Sequence, residues 1–265
     1  MKHINLLLLI VVASISMLAG SCTSYKNIPY FKDVPDSGYV YKNGVQVPVT
    51  AYQAVRIQPN DILSVDIRTI DPEVNEALRN PNSQMTRPLT NENDAASIGY
   101  LVDEKGNIEL PVAGTIKVGG LTTAEAKEAV RQKALAYYKE PIVNVRIINF
   151  KVTVLGEVTR PGTYLINGEK ATILDALGQA GDMSIFGTRT NVLLSRNENG
   201  QQKMIRFNLT ETEMFSSPYF YLRQGDVLYV QPTKGKAAAN DGAALRTYTI
   251  ITSTLSLLAI VISRL

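Results

Sequence analysis

Residues 57–67 read Ile57-Gln58-Pro59-Asn60-Asp61-Ile62-Leu63-Ser64-Val65-Asp66-Ile67. Pro59-Asn60-Asp61 is turn chemistry, and the residues behind it place apolar side chains at alternating positions, which predicts a turn opening a β-strand. Residues 222–230, Leu222-Arg223-Gln224-Gly225-Asp226-Val227-Leu228-Tyr229-Val230, repeat the pattern. With Asp61 set on Asp226, Ile57, Ile62, Leu63 and Val65 fall on Leu222, Val227, Leu228 and Val230. In both places the Asp is expected to bond turn amides where the strand begins, a structural role and not a catalytic one.

Working outward from the first turn, a folded unit is expected over 51–149. Tyr100-Leu101-Val102 and Ile108-Glu109-Leu110 flank Glu104-Lys105-Gly106-Asn107, which predicts a hairpin with Gly at its tip. Thr122 and Glu125 have the spacing of a capping box, and Val130, Ala134 and Tyr137 recur at i, i+4, i+7, so a helix with one buried face should run from Thr122 until Pro141 stops it. Residues 143–147 (VNVRI) alternate as a half-buried strand. Residues 71–97 are polar and rich in Asn and Pro, and read as a long loop or insertion.

A second unit is expected over 150–233. It opens with a strand over 152–158, a type II turn at Arg160-Pro161-Gly162 and a returning strand over 164–166. A short helix capped by Thr172 should end near Gly181. Residues 192–194 and 203–207 flank Asn197-Glu198-Asn199-Gly200 as a second hairpin.

The chain starts with Met1-Lys2-His3, an apolar run over 6–18, and Ala19-Gly20-Ser21-Cys22, which reads as a secretory signal over 1–21. Cys22 is the only cysteine in 265 residues, and it stands where small residues would admit a signal peptidase. This stretch resembles the lipobox of bacterial lipoproteins, with Leu18 one residue further from the cysteine than usual. The expectation is an acyl (palmitate-type) anchor at Cys22; an ordinary signal with an incidental cysteine is the alternative. Residues 22–50 lack periodicity and read as an extended tether.

The order of these motifs resembles the bacterial outer-membrane polysaccharide biosynthesis/export lipoproteins, the Wza-like family. IQPNDILSVDI, LVDEKGNIELPVAG, LTTAEAKEAVRQKA and VNVRI resemble the export domain; VLGEVTRPGTYLI, ATILDALGQAGD and YLRQGDVLYVQP resemble the soluble ligand-binding β-grasp (SLBB-like) domain that follows it. The resemblance implies an α+β fold, with an export domain of mixed strands and one long helix, one β-grasp domain and a C-terminal amphipathic transmembrane helix. It also implies a homo-oligomeric ring, an octamer being one size it admits, that passes capsular or extracellular polysaccharide across the outer membrane. The implied inner-membrane partner is a polysaccharide co-polymerase or chain-length regulator.

Residues 247–265 carry no charge except Arg264 and would make a helix of about 28 Å, close to the ~30 Å hydrocarbon thickness of a bilayer. On a helical wheel Thr249, Thr252, Ser253, Ser256 and Ser263 fall within one stripe about 100° wide, with Ile260 as the apolar intruder. Three readings stand: the stripe lines a pore, with Arg246 and Arg264 at its two mouths; its hydroxyls bond back to their own helix or pack against another helix; or the helix is a simple second anchor. Residues 234–246 (KGKAAANDGAALR, by the same reading) form a joint.

Composition excludes several classes. Net charge is +3, from 27 Lys+Arg against 24 Asp+Glu, with no basic cluster, which argues against a nucleic-acid partner. One His and one Cys leave no metal site, and the His is lost with the signal, so no imidazole remains for nucleophilic catalysis. No cofactor is expected. Asp103-Glu104 and Glu211 with Glu213 are carboxylate pairs of the kind glycosidases use, but they lie in polar turns and read as solvated surface. The expectation is therefore a non-enzymatic export-channel subunit. The alternative is a periplasm-facing glycan-binding outer-membrane lipoprotein that does not itself form the pore.

Overall fold

The computed structural model describes residues 28–37, 42, 44–73, 75, 99–111, 113–166, 168–239 and 242–264. The signal and Cys22 lie outside them, as does most of the expected 71–97 loop. Among the described residues the architecture is mixed α/β, with three sheets and few helices.

In the first unit, β1 (Ile62–Arg68) runs antiparallel between β2 (Tyr100–Leu101) and β5 (Ile142–Ile147). The separate hairpin of β3 (Asn107–Leu110) and β4 (Gly114–Lys117) and the helix α1 (Thr123–Ala134) close a core around Ile57, Leu63, Val102, Ile108, Val118 and Val130. Thr122 and Glu125 form both halves of the capping box. Three expectations are corrected here. The turn at 103–106 does not pair 100–102 with 108–110, because β2 bonds to β1 and β3 bonds to β4. The helix ends at Ala134, well before Pro141, and the chain then turns into β5 through Glu140 in the left-handed region (φ 49°). Tyr137 is consequently exposed; the buried face is Ala126, Val130 and Ala134.

In the second unit, β6 (Lys151–Gly156), β7 (Gly162–Leu165), β8 (Gly187–Glu198), β9 (Gln201–Phe207) and β10 (Val227–Pro232) make one sheet in the order β7-β6-β10-β8-β9. β6 and β10 pair in parallel at its centre. The helix α2 (Ile173–Gln179), capped by Thr172 and Asp175, packs Ile173, Ala176 and Leu177 into its core. The hairpin at Asn199-Gly200 forms as expected, with both residues at positive φ, as a tight two-residue turn requires. The type II turn does not. Gly162 lacks positive φ, and 159–160 instead bond their N–H groups to the carbonyls of Asp182 and Ala180. Gly156 must be a glycine: at φ 89°, a Cβ there would lie 2.0 Å from the Val230 carbonyl oxygen.

The two units contain the same local assembly in permuted order. Ile57 N–H bonds to the carbonyl of Leu121, which precedes the helix cap Thr122. Leu222 N–H bonds to the carbonyl of Ala171, which precedes the helix cap Thr172. In the first unit the turn precedes its helix along the chain; in the second it follows it. Asn149 joins the two. Its side chain accepts from Ile62 N–H and donates to the Asn60 carbonyl, and its own carbonyl accepts from Gln224.

The stretch read as a tether is not free where it is described. Phe31 and Lys32 bond backbone-to-backbone with Leu209 and Thr210, and Thr50 with Phe215. A ladder of rings, Phe31–Phe215–Phe220–Tyr221–Tyr52, follows beneath it with centroid spacings of 5.1–5.3 Å. Long-range partners hold this segment, so it has no periodicity of its own.

The expected joint over 234–246 is largely helical: α3 (Lys234–Ala239) is followed by α4 (Gly242–Arg264). Among the described residues no helix is long and apolar enough to cross a membrane, so the membrane-spanning helix expected over 247–265 is not supported.

Candidate functional site

α4 is the element whose surface the rest of the chain leaves open. Each side chain from Arg246 to Leu257, together with Ile260 and Val261, is exposed. Tyr248, Ile250, Ile251, Leu255, Leu257, Ile260 and Val261 are each close to half exposed or more. At about 1.5–3 kcal/mol for fully burying one such side chain, covering these half-exposed side chains releases on the order of 10 kcal/mol. A face of that size is uncommon on a soluble monomer and marks an interaction surface.

Four hydroxyls of the helix bond back to its own carbonyls. Thr252 donates to the carbonyls of Tyr248 (2.9 Å) and Thr249 (3.0 Å), Ser253 to that of Ile250 (2.9 Å) and Ser256 to that of Thr252 (2.9 Å). Outside the stripe Thr254 does the same toward Ile250. Back-bonding lowers the cost of placing these groups in a poorly hydrated setting while leaving each oxygen both of its acceptor lone pairs. Thr249, Thr252, Ser253 and Ser256 therefore sit on one helix face as the wheel places them. The side chains of Ser263 and Arg264 lie outside the described residues, and Arg246 is exposed near the start of α4.

The two Asp residues singled out in the sequence occupy equivalent turns. Asp61 accepts from the N–H of Gln58 and Asp226 from that of Arg223, each at 2.7 Å, and both are almost fully buried. Their environments differ. Asp226 receives a bidentate Arg196 guanidinium at 3.0 and 2.7 Å, and Arg196 is itself 2% exposed. Burial pushes the Asp61 carboxyl up to about 6, with the Gln58 N–H pulling the other way. Arg196 escaped the sequence reading, although it continues the inward alternation Val192, Leu194, Arg196.

Tyr219, Phe220 and Tyr221 do not make an open platform for sugar stacking. Phe220 is core, Tyr221 lies in the ring ladder, and Tyr219 has Arg196 and Lys203 over its ring at 5.4 and 4.7 Å. Of the carboxylate pairs, Asp103 caps its own turn by accepting from Asn107 N–H. Among the described residues no cluster of His, Cys, Asp and Glu could hold a metal ion.

The start of α3 is fixed to the second unit. Thr233 N–H bonds to the Phe186 carbonyl at 2.8 Å, and the Lys236 ammonium pairs with Glu157, holding its carboxyl below the usual range. Glu157 also accepts from Ser184 Oγ at 3.0 Å. Helix and second unit are thus joined through the 184–186 loop.

Comparison with known proteins agrees with this arrangement. Residues 49–148 match the polysaccharide biosynthesis/export protein model and residues 150–230 the SLBB domain model. The EPS I polysaccharide export outer membrane protein EpsA of Ralstonia nicotianae is 28% identical over 201 residues, covering 74% of this chain and 52% of the relative. Its counterpart in Ralstonia solanacearum is 28% identical over 157 residues, covering 58% of this chain and 41% of the relative. The chain thus spans about half the length of the curated relatives it matches. The family is one of export proteins and not of enzymes. An export domain joined directly to an SLBB domain, together with these two relatives, supports a Wza-like polysaccharide export family.

Proposed function

We propose that this protein is a lipoprotein subunit of a ring that exports capsular or extracellular polysaccharide through the outer membrane. The observation that carries this reading is α4, which follows the export and SLBB domains with an exposed apolar face and a stripe of back-bonded hydroxyls. Among the described residues no single helix is long and apolar enough to cross a membrane. Copies arranged in a closed ring change the balance: the stripes of Thr249, Thr252, Ser253, Ser256 and Ser263 turn toward one another and toward water, and only the apolar faces meet lipid. Uncharged hydroxyls would let a hydrated glycan pass without holding it. Arg246 stands at the periplasmic mouth and Arg264 at the outer one, with Cys22 as the lipid attachment. An inner-membrane co-polymerase or chain-length regulator would deliver the polysaccharide to the periplasmic side.

The mass of the full-length protein extracted in mild detergent tests this. A closed ring gives one discrete, large species that persists on dilution. A monomer or dimer would contradict the reading and favour a glycan-binding lipoprotein that forms no pore.

A further inference from the structure

Both described ends of the folded body converge on one loop. On the N-terminal side, Tyr30 donates to Asp182 at 2.5 Å, and the Arg189 guanidinium lies 5.2 Å from the centre of its ring. On the C-terminal side, Thr233 bonds to Phe186, and Lys236 reaches Glu157, which holds Ser184. Between these ties the chain exposes two large apolar side chains in succession, Ile185 at 68% and Phe186 at 40%.

The loop is built to hold that pose. Arg189, 5% exposed, donates to the carbonyls of Met183 and Ser184 at 3.2 Å each and of Gly187 at 3.4 Å. Met183 is buried beneath the loop, and Phe186 N–H bonds to Ser184 Oγ. At Gly187 a Cβ would meet the Glu157 carbonyl oxygen at 3.0 Å, so the backbone there needs the space that a side chain would fill. A buried arginine spent on three loop carbonyls makes a rigid support for two exposed apolar groups.

We infer that Ile185 and Phe186 insert into the periplasmic leaflet of the outer membrane, making the 183–187 loop a membrane foot of the second domain. This rests on the proposed lipid attachment at Cys22 and membrane placement of α4. Chain lengths then bring the loop to the lipid. Cys22 is eight residues from Tyr30, a reach of at most about 28 Å at ~3.5 Å per residue. On the other side, α3 spans only about 9 Å before α4 begins. An Ile-Phe pair beside the exposed Lys234 has the chemistry of an interfacial anchor, with apolar groups at the acyl boundary and a cation at headgroup level. The foot would fix the tilt of the second domain against the membrane, which two chain ends alone leave adjustable.

The test uses the full-length lipoprotein in phosphatidylethanolamine–phosphatidylglycerol vesicles with brominated acyl chains. An environment-sensitive fluorophore is attached through Ile185→Cys, Phe186→Cys, Asn199→Cys or Leu257→Cys, with the unsubstituted protein checked for absence of labelling. Asn199 lies at the far end of β8, roughly 36 Å from the loop at ~3.3 Å per residue. The labels at 185 and 186 should shift to the blue and be quenched by bromine, less than the label at 257, while that at 199 stays unquenched. Quenching at 257 alone overturns the foot and leaves the helix placement standing. Quenching at none of the four overturns both. A blue shift at 185 and 186 without bromine quenching shows the loop buried against protein and also overturns the foot.

Discussion

Asp61 and Asp226 perform one task in two domains: each carboxylate accepts the N–H of the residue three places before it at 2.7 Å and starts a central strand. Only Asp226 has a buried cation, Arg196, as partner. The same turn therefore carries opposite electrostatic consequences in the two units.

Replacing Asp226 by Asn leaves the Arg196 guanidinium buried without its counter-charge, and should cost about 3–5 kcal/mol of stability in the second domain. Asp61→Asn keeps the acceptor for Gln58 and should cost far less at neutral pH. Urea denaturation of the two variants checks the contrast; equal losses would contradict the assignment.

The pH dependence of Asp61 has a definite sign. Its carboxyl is held near 6 in the folded chain, against about 3.9 unfolded. Between these values the folded chain keeps a proton that the unfolded chain has released, so stability falls as pH rises from about 4 to 6 and is level above. The change attributable to this group is at most roughly 3 kcal/mol. The wild-type-minus-Asp61→Asn difference in unfolding free energy should show that slope, and a flat difference across the window would refute it.

Asn149 binds the two turns to one another through Asn60, Ile62 and Gln224. Truncation to Ala leaves the Ile62 N–H without its acceptor and should cost about 1–3 kcal/mol. Hydrogen exchange should rise at Ile62 while the β8–β9 hairpin stays protected.

Tyr30→Phe removes the hydroxyl that donates to Asp182 and leaves the ring over Arg189. The expected loss is about 1 kcal/mol, read as faster proteolysis of the N-terminal segment with the domains intact.

Much of this fold was legible in the residues. The Asp-led turns, both helix caps and the Asn199-Gly200 hairpin are local devices, each fixed by side chains within a few positions, and they stand where the pattern put them. What failed was non-local. Whether Leu101 pairs with Ile108 or with Ile62 depends on a competing strand that no local pattern reveals. The N-terminal segment draws its order from Leu209, Thr210 and Phe215, far along the chain. The helix stripe was legible as a pattern, and 242–264 does form one helix.

The most direct test of the central claim is thiol labelling of intact cells with a membrane-impermeant reagent, using Ser263→Cys and Asn199→Cys separately. An export ring with α4 in the outer membrane predicts labelling at 263 and none at 199. No labelling at 263, in protein that is present and becomes reactive after lysis, would contradict it and leave the whole chain on the periplasmic side.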